Sequence, residues 1–104
     1  MTVNRIELLE GMVAQNPGDS RTRYMLAMEL VNSGSLDAAV QHFQAILSSA
    51  PDYIPTYFQC GQALEAAGKS EEARDVYQRG IEACARSGDE KTRRELEEAR
   101  DNLG

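Results

Sequence analysis

Apolar residues recur every three or four positions through most of the chain, which is the spacing of one face of an α-helix. The stretch 20–33 shows it clearly, with apolar positions Tyr24, Leu26, Ala27, Leu30 and Val31. A second such stretch, 36–49, follows Gly34, which suits a left-handed helix end, and Ser35, a candidate N-cap. Pro51 then prevents the helix from continuing. The pattern predicts two helices joined by a tight turn.

The same plan recurs further along the chain. Asp52 is predicted to cap the next helix, Pro55 to lie in its first turn, Gly68 to end it and Ser70 to open its partner. One helix, at about 3–15, precedes the two pairs, and a last helix with a narrow apolar stripe follows residue 89. The sequence therefore predicts an all-α protein of about six helices.

The two pairs match each other at an offset of 34 residues. This shift takes Ala27 to Gly61, Leu30 to Leu64, Gly34 to Gly68, Ala39 to Ala73, Phe43 to Tyr77 and Pro17 to Pro51. Small residues, glycines and aromatics each keep their chemical type. A fixed period of this length is typical of stacked repeats, in which every unit packs only on its neighbours.

The motifs inside each period resemble the tetratricopeptide signature W-x2-L-G-x2-Y, A-x3-F and P. They are Arg23-x2-Leu26-Ala27-x2-Leu30, Ala39-x3-Phe43 and Pro51, then Tyr57-x2-Cys60-Gly61-x2-Leu64, Ala73-x3-Tyr77 and Ala85. Arg23 replaces the usual aromatic residue, and Ile46 stands where the family generally has a small one. The resemblance covers about 5–86 and implies a right-handed superhelix of antiparallel helix pairs.

The resemblance also implies how the chain is organised. We expect a single domain over 1–104, composed of a half-repeat helix (1–17), a first repeat (20–53), a second repeat (54–87) and a C-terminal capping helix (88–104). In such a stack the first helix of each pair lines a concave side.

Family members bind polypeptides on that concave side, so a non-catalytic adaptor that holds a peptide or protein segment is expected. The resemblance places the binding residues at Arg21, Tyr24, Met28, Val31, Asn32, Pro55, Phe58, Gln62, Glu65 and Ala66, with Tyr53 at the groove's edge. The family's clamp for a C-terminal carboxylate is missing, because only Arg93 matches it. Apolar anchors on the ligand are therefore favoured.

Composition argues against several other functions. Seventeen acidic residues against eleven basic ones give a net charge of −6, which disfavours nucleic acid as a partner. No apolar stretch is long enough to span a membrane. His42 is the only histidine, and no spacing pairs it with Cys60 or Cys84, so no catalytic site, metal or cofactor is expected. Two cysteines and no signal-peptide pattern favour a reduced, cytoplasmic protein.

One alternative to the adaptor remains open. The N-terminal half-repeat has a broad apolar face formed by Ile6, Leu8, Leu9, Met12 and Val13. Because the half-repeat lacks a first helix of its own, part of this face is expected to be uncovered. A second copy of the chain could cover it, which would make the protein a homodimer and a self-assembly module.

Overall fold

The computed structural model describes residues 4–103, and all of its regular structure is helical. The helices are α1 (Arg5–Gln15), α2 (Ser20–Asn32), α3 (Leu36–Ser49), α4 (Pro55–Ala66), α5 (Ser70–Ser87) and α6 (Glu90–Asp101). Each packs on its neighbours in sequence, and α2 also contacts α4. The predicted all-α superhelix of helix pairs is confirmed, whereas the proposed division of 1–104 into repeats and cap stays a prediction.

Short polar side chains start three of the helices. Asn4, Asp19 and Asp89 each accept a hydrogen bond from a backbone N–H in the first turn of the helix that follows. The capping role predicted for Asp52 is wrong, because α4 begins at Pro55 after Ile54 and has no side-chain cap. Proline needs no partner for an N–H at this position, which explains how the helix starts without one.

One further expectation about a helix end needs correction. Ser35 precedes α3 as predicted, but its side chain makes no capping hydrogen bond and instead accepts one from the Ser33 hydroxyl (3.2 Å). The predicted start of α1 near Val3 lies outside the described residues. Gly34, as predicted, adopts a positive φ of 83°, a conformation that costs glycine little because it has no Cβ.

Successive helices run antiparallel, as their side-chain contacts show. In the α4–α5 pair, a Cβ on Gly61 would lie 2.1 Å from Tyr77 Cε1, and a Cβ on Gly80 would lie 2.6 Å from Tyr57 Cβ. Contacting residues thus move in opposite directions along the two helices. Gly61 makes room for the Tyr77 ring, which is fully buried.

The core runs through the whole stack, from Leu9 in α1 to Leu96 in α6. Cys84 is buried within it at 1% exposure. Arg23, which stands where the family signature has an aromatic residue, takes a different role from an aromatic ring. Its guanidinium lies 3.1 Å from His42 Nδ1 and donates a hydrogen bond to the Pro17 carbonyl, also at 3.1 Å. It therefore joins α2 to both α3 and the preceding turn.

Candidate functional site: a concave groove between the first helices

Two adjoining cavities lie on the side of the stack formed by α2, α4 and α6. The larger, of about 570 Å³, lies between α4 and α6, and the smaller, of about 240 Å³, extends to α2 and the loop before α4. Both are lined by Phe58, Gln59 and Glu95, so we treat them as one surface, called here the concave groove. The remaining lining residues are Tyr24, Ile54, Pro55, Gln62, Asp89, Thr92, Glu98, Ala99 and Asn102.

Aromatic rings in mutual contact form the floor of the concave groove. Tyr24 meets Phe43 and Tyr53 edge-on, with ring centroids 5.9 Å and 5.7 Å apart. The ring of Phe58 lies 6.4 Å from that of Tyr77 in a tilted arrangement. Because Phe43 and Tyr77 are fully buried, they hold Tyr24 and Phe58 in place while the outer sides of those two rings stay partly open. Such preformed apolar surface suits a ligand's apolar side chain.

A hydrogen-bond network fixes the α4 wall of the groove. The hydroxyl of Tyr77 donates to the Glu65 carboxylate and accepts a hydrogen bond from Gln62 Nε2 at 2.8 Å. Burial raises the pKa of Tyr77, and the hydrogen bond to Glu65 raises it further. Tyr77 is thus a neutral donor at physiological pH, and the Gln62 amide has a fixed orientation on the groove's wall.

The opposite wall, on α6, carries carboxylates. Asp89 accepts a hydrogen bond from the Thr92 backbone N–H (3.1 Å), which lowers the pKa of Asp89 and keeps it ionised. Glu95 and Glu98 are exposed, and within residues 4–103 no Lys or Arg lies close enough to pair with either. The groove therefore combines an aromatic floor with an acidic wall.

Similarity to known proteins agrees with this architecture. A family model described as tetratricopeptide repeat matches residues 30–85, more than half of the chain. The chain belongs to the tetratricopeptide repeat family. Members of this family are in general protein-interaction modules.

Several relatives extend the match over most of the chain. A tetratricopeptide repeat-containing protein of Pseudomonas aeruginosa is 29% identical over 91 residues, 88% of this chain and 87% of the relative. The solution structure of a tetratricopeptide repeat domain protein from Salinibacter ruber has a TM-score of 0.79 and 32% identity, covering 85% of this chain and 89% of that one. The TPR2B domain of yeast Sti1, in complex with pHsp70, has a TM-score of 0.85 at 16% identity, covering 94% and 78%, which shows a shared fold.

Four of the residues predicted from the tetratricopeptide repeat pattern line the concave groove: Tyr24, Pro55, Phe58 and Gln62. Tyr53 supports the floor through its contact with Tyr24, and Glu65 acts through Tyr77. The others lie outside the two cavities. Met28 and Val31 are half-buried against the core, and Arg21, Asn32 and Ala66 are exposed. A binding role for the whole set stays a prediction.

The α6 wall was missed, because this helix was treated only as a cap. Its contribution consists of Asp89, Thr92, Glu95, Glu98, Ala99 and Asn102. A signal was present in the sequence: the 34-residue shift that relates the tetratricopeptide repeats takes Pro55 to Asp89 and Phe58 to Thr92. The helix thus occupies the place of a first helix in a third repeat.

Other chemistry in the described region is sparse. Burial raises the pKa of Cys60 to about 11, so its thiol stays protonated and unreactive at neutral pH. His42 contacts the Arg23 guanidinium. Burial is the main cause that lowers the pKa of His42, and the positive charge of Arg23 lowers it further. Residues 4–103 contain no cluster of three or more side chains that could hold a metal ion. No helix in the same range is long and apolar enough to cross a membrane.

Proposed function

We propose that the protein is a non-catalytic adaptor that binds a polypeptide segment in the concave groove. The observation that carries the proposal is the pair of half-buried rings, Tyr24 and Phe58, held in an open cavity by buried aromatic neighbours. A ligand side chain placed against them would remove apolar surface from water without reorganising the protein, which favours binding. We expect an extended or helical segment with apolar anchors.

Two observations support this proposal. The TPR2B domain of yeast Sti1, which has the same fold, was solved in complex with pHsp70, so the architecture is compatible with a protein-derived ligand. In the present chain Arg93, the single residue that matches the carboxylate clamp, pairs with Glu90 and Glu97. Its charge is thus already neutralised, which favours side-chain anchors over a C-terminal carboxylate.

A random library of short peptides displayed on phage tests the proposal. We expect the protein to enrich peptides rich in Phe, Leu, Ile or Met, and Ala99→Phe to abolish the enrichment. Ala99 and Phe58 both line the larger cavity, so a ring at Ala99 would obstruct the space beside Phe58. The matched control is Ala85→Phe, which adds the same ring to an exposed position of α5 outside the groove. Enrichment that survives Ala99→Phe would contradict groove binding.

A second candidate function is self-assembly, and exposed apolar side chains favour it. Leu8, Met12 and Met25 are 55%, 44% and 38% exposed. The ion pair between Arg5 and Glu29 (2.7 Å) shows that the start of α1 lies beside the end of α2, so Met25 lies near the middle of α1. We call Leu8, Met12 and Met25 the N-terminal patch. Covering it with a second copy would make a homodimer, and light scattering after gel filtration would detect one.

A further inference from the structure

We infer that the segment bound in the concave groove is basic: it carries Lys or Arg side chains that face α6, beside an apolar anchor that contacts Phe58. This inference rests on the proposed function and adds the charge of the partner. The juxtaposition that carries it is an acidic wall, Glu95 and Glu98, directly across a cavity of about 570 Å³ from an open aromatic ring.

The charged side chains that line the groove are all negative. The residues that line the two cavities include three carboxylates, Asp89, Glu95 and Glu98, and no Lys or Arg. A basic residue of α6, Lys91, lies four positions before Glu95 but does not pair with it. An acidic segment entering this space would meet like charges at close range, which costs binding free energy, whereas a basic one would find complementary charge.

Internal neutralisation distinguishes these carboxylates from the others of the same helix. Glu90 and Glu97 pair with Arg93, and Asp101 pairs with Arg100, on the sides of α6 away from the cavity. Arg100 also donates a hydrogen bond to Gln78 of α5 (2.9 Å). Arg93 and Arg100 are therefore committed to contacts within the protein. Lys91 and Arg94 lie four positions before Glu95 and Glu98 but form no ion pair with them, so the two carboxylates face the groove unpaired.

The floor of the groove adds to the preference for a cation. Aromatic faces attract Lys and Arg side chains through the ring quadrupole, and their aliphatic stems pack well on apolar surface. Phe58 lines both cavities together with Glu95. A single Arg or Lys could thus pack its stem against the ring and direct its charge to a carboxylate, so both features of the groove would recognise one residue.

The phage-displayed peptide library, applied to three forms of the full chain, tests this inference. The forms are the parent, the double variant E95Q/E98Q, and the control E71Q/E72Q. The control removes the same charge from the face between α3 and α5. We expect the parent and the control to enrich Lys and Arg next to an apolar anchor, and E95Q/E98Q to lose the basic enrichment while it keeps the apolar one.

Affinities of the selected peptides make the test quantitative. For a peptide selected on the parent, we expect about fivefold weaker binding to E95Q/E98Q and an unchanged affinity for the control, as befits partly exposed ion pairs. Raising NaCl from about 50 mM to about 300 mM should weaken binding to the parent more than to E95Q/E98Q, because salt screens exposed charges.

The outcomes separate this inference from the function on which it rests. Peptides that are blocked by Ala99→Phe but show no basic enrichment, or an acidic one, would overturn the inference and leave groove binding intact. Basic enrichment that persists in E95Q/E98Q would also overturn it, since another surface would then supply the charge. Failure to select any peptide that Ala99→Phe blocks would contradict both proposals.

Discussion

Gly61 is a residue at which a single added carbon would clash with a buried aromatic ring. The Tyr77 ring occupies the space that a Cβ on Gly61 would need, with Tyr77 Cε1 only 2.1 Å from the ideal Cβ position. Because the ring is fully buried, it cannot move aside. We expect Gly61→Ala to lower the free energy of unfolding by about 2 kcal/mol, and Gly61→Leu by more, because overpacking strains a dense core. Urea denaturation measures the effect.

Gly11 provides the matched control for this prediction. It also lies within a helix, but a Cβ there would meet no atom within 4 Å. Gly11→Ala should therefore stabilise the protein by up to about 1 kcal/mol, through the better helix propensity of alanine. Equal effects of the two Gly→Ala variants would mean that helix propensity, and not the Tyr77 contact, determines the result at Gly61.

The hydroxyl of Tyr77 should make the stability of the protein depend on pH. Near neutral pH we expect Tyr77→Phe to cost about 1 kcal/mol, the usual net value of a hydrogen-bonded hydroxyl. Burial raises the pKa of Tyr77 in the folded protein, so above pH 10 the unfolded chain loses this proton while the folded one keeps it. The stability that Tyr77 contributes is complete below pH 10 and declines above it, by at most about 1.4 kcal/mol per pH unit.

The parent should therefore lose its advantage over Tyr77→Phe between about pH 10 and pH 11. Urea denaturation of both proteins across this range provides the measurement, and comparing them cancels the titration of all other groups. A stability difference that stays constant to pH 11 would mean that Tyr77 ionises equally well in the folded and unfolded chains.

At the scale of elements, the packing of α6 on the rest of the protein depends mainly on one side chain. Most of its residues are charged, and Leu96 is its single buried residue in the described structure, packed beside Gly80 of α5. We expect Leu96→Ala to cost about 3 kcal/mol, the usual effect of leaving a cavity in place of a buried leucine. Loss of this contact should also release α6 before the rest of the chain unfolds.

Hydrogen exchange would measure that release. Backbone amides of α6 should exchange much faster in Leu96→Ala than in the parent, while those of α2 and α3 keep their relative order of protection. Leu103→Ala is the control, because Leu103 is only partly buried against the core and follows the end of the helix. Uniformly faster exchange in all six helices would instead show that the protein unfolds as one cooperative unit.

The helices themselves were predictable because their signals are local. Gly34 and Pro55 mark helix ends through backbone geometry alone, and the 34-residue period arranges the helices into pairs. The cap of α4 was not predictable in this way: Asp52 has the right chemistry, but Pro55 sets the helix start three residues later. A local preference decides the outcome only where a stronger neighbouring constraint is absent.

The concave groove depended on contacts that the sequence does not encode locally. Tyr24 and Phe58 could be placed from the family pattern, since their positions within the repeat are fixed. The 34-residue shift could place Asp89 and Thr92 beside them, but not Glu95 and Glu98, because it relates those two to the buried Gly61 and Leu64. The charged composition of α6 is also typical of a solvated cap. Whether a carboxylate faces a cavity or open water depends on how α6 packs against α5, and only the three-dimensional structure gives that.

At the scale of the whole molecule, two candidate interaction surfaces lie at different ends of the stack. The N-terminal patch belongs to α1 and α2, whereas the larger cavity lies between α4 and α6. The molecule is elongated, with extents of 44 × 28 × 19 Å, and α1 packs on α2 while α6 packs on α5. Self-association and peptide binding need not compete for the same residues.

This separation predicts that the two activities change independently. We expect L8Q/M12Q to shift the molar mass in light scattering towards the monomer, if the parent self-associates, and to leave the affinity for a selected peptide unchanged. Phe58→Ala should lower the affinity for the selected peptide and leave the molar mass unchanged, because substitutions at separate surfaces act additively. Met25→Ala, a second change in the N-terminal patch, should have the same effects on molar mass and peptide affinity as L8Q/M12Q. A peptide affinity that falls together with self-association would mean that the groove is completed by the second copy, and that the binding unit is the dimer.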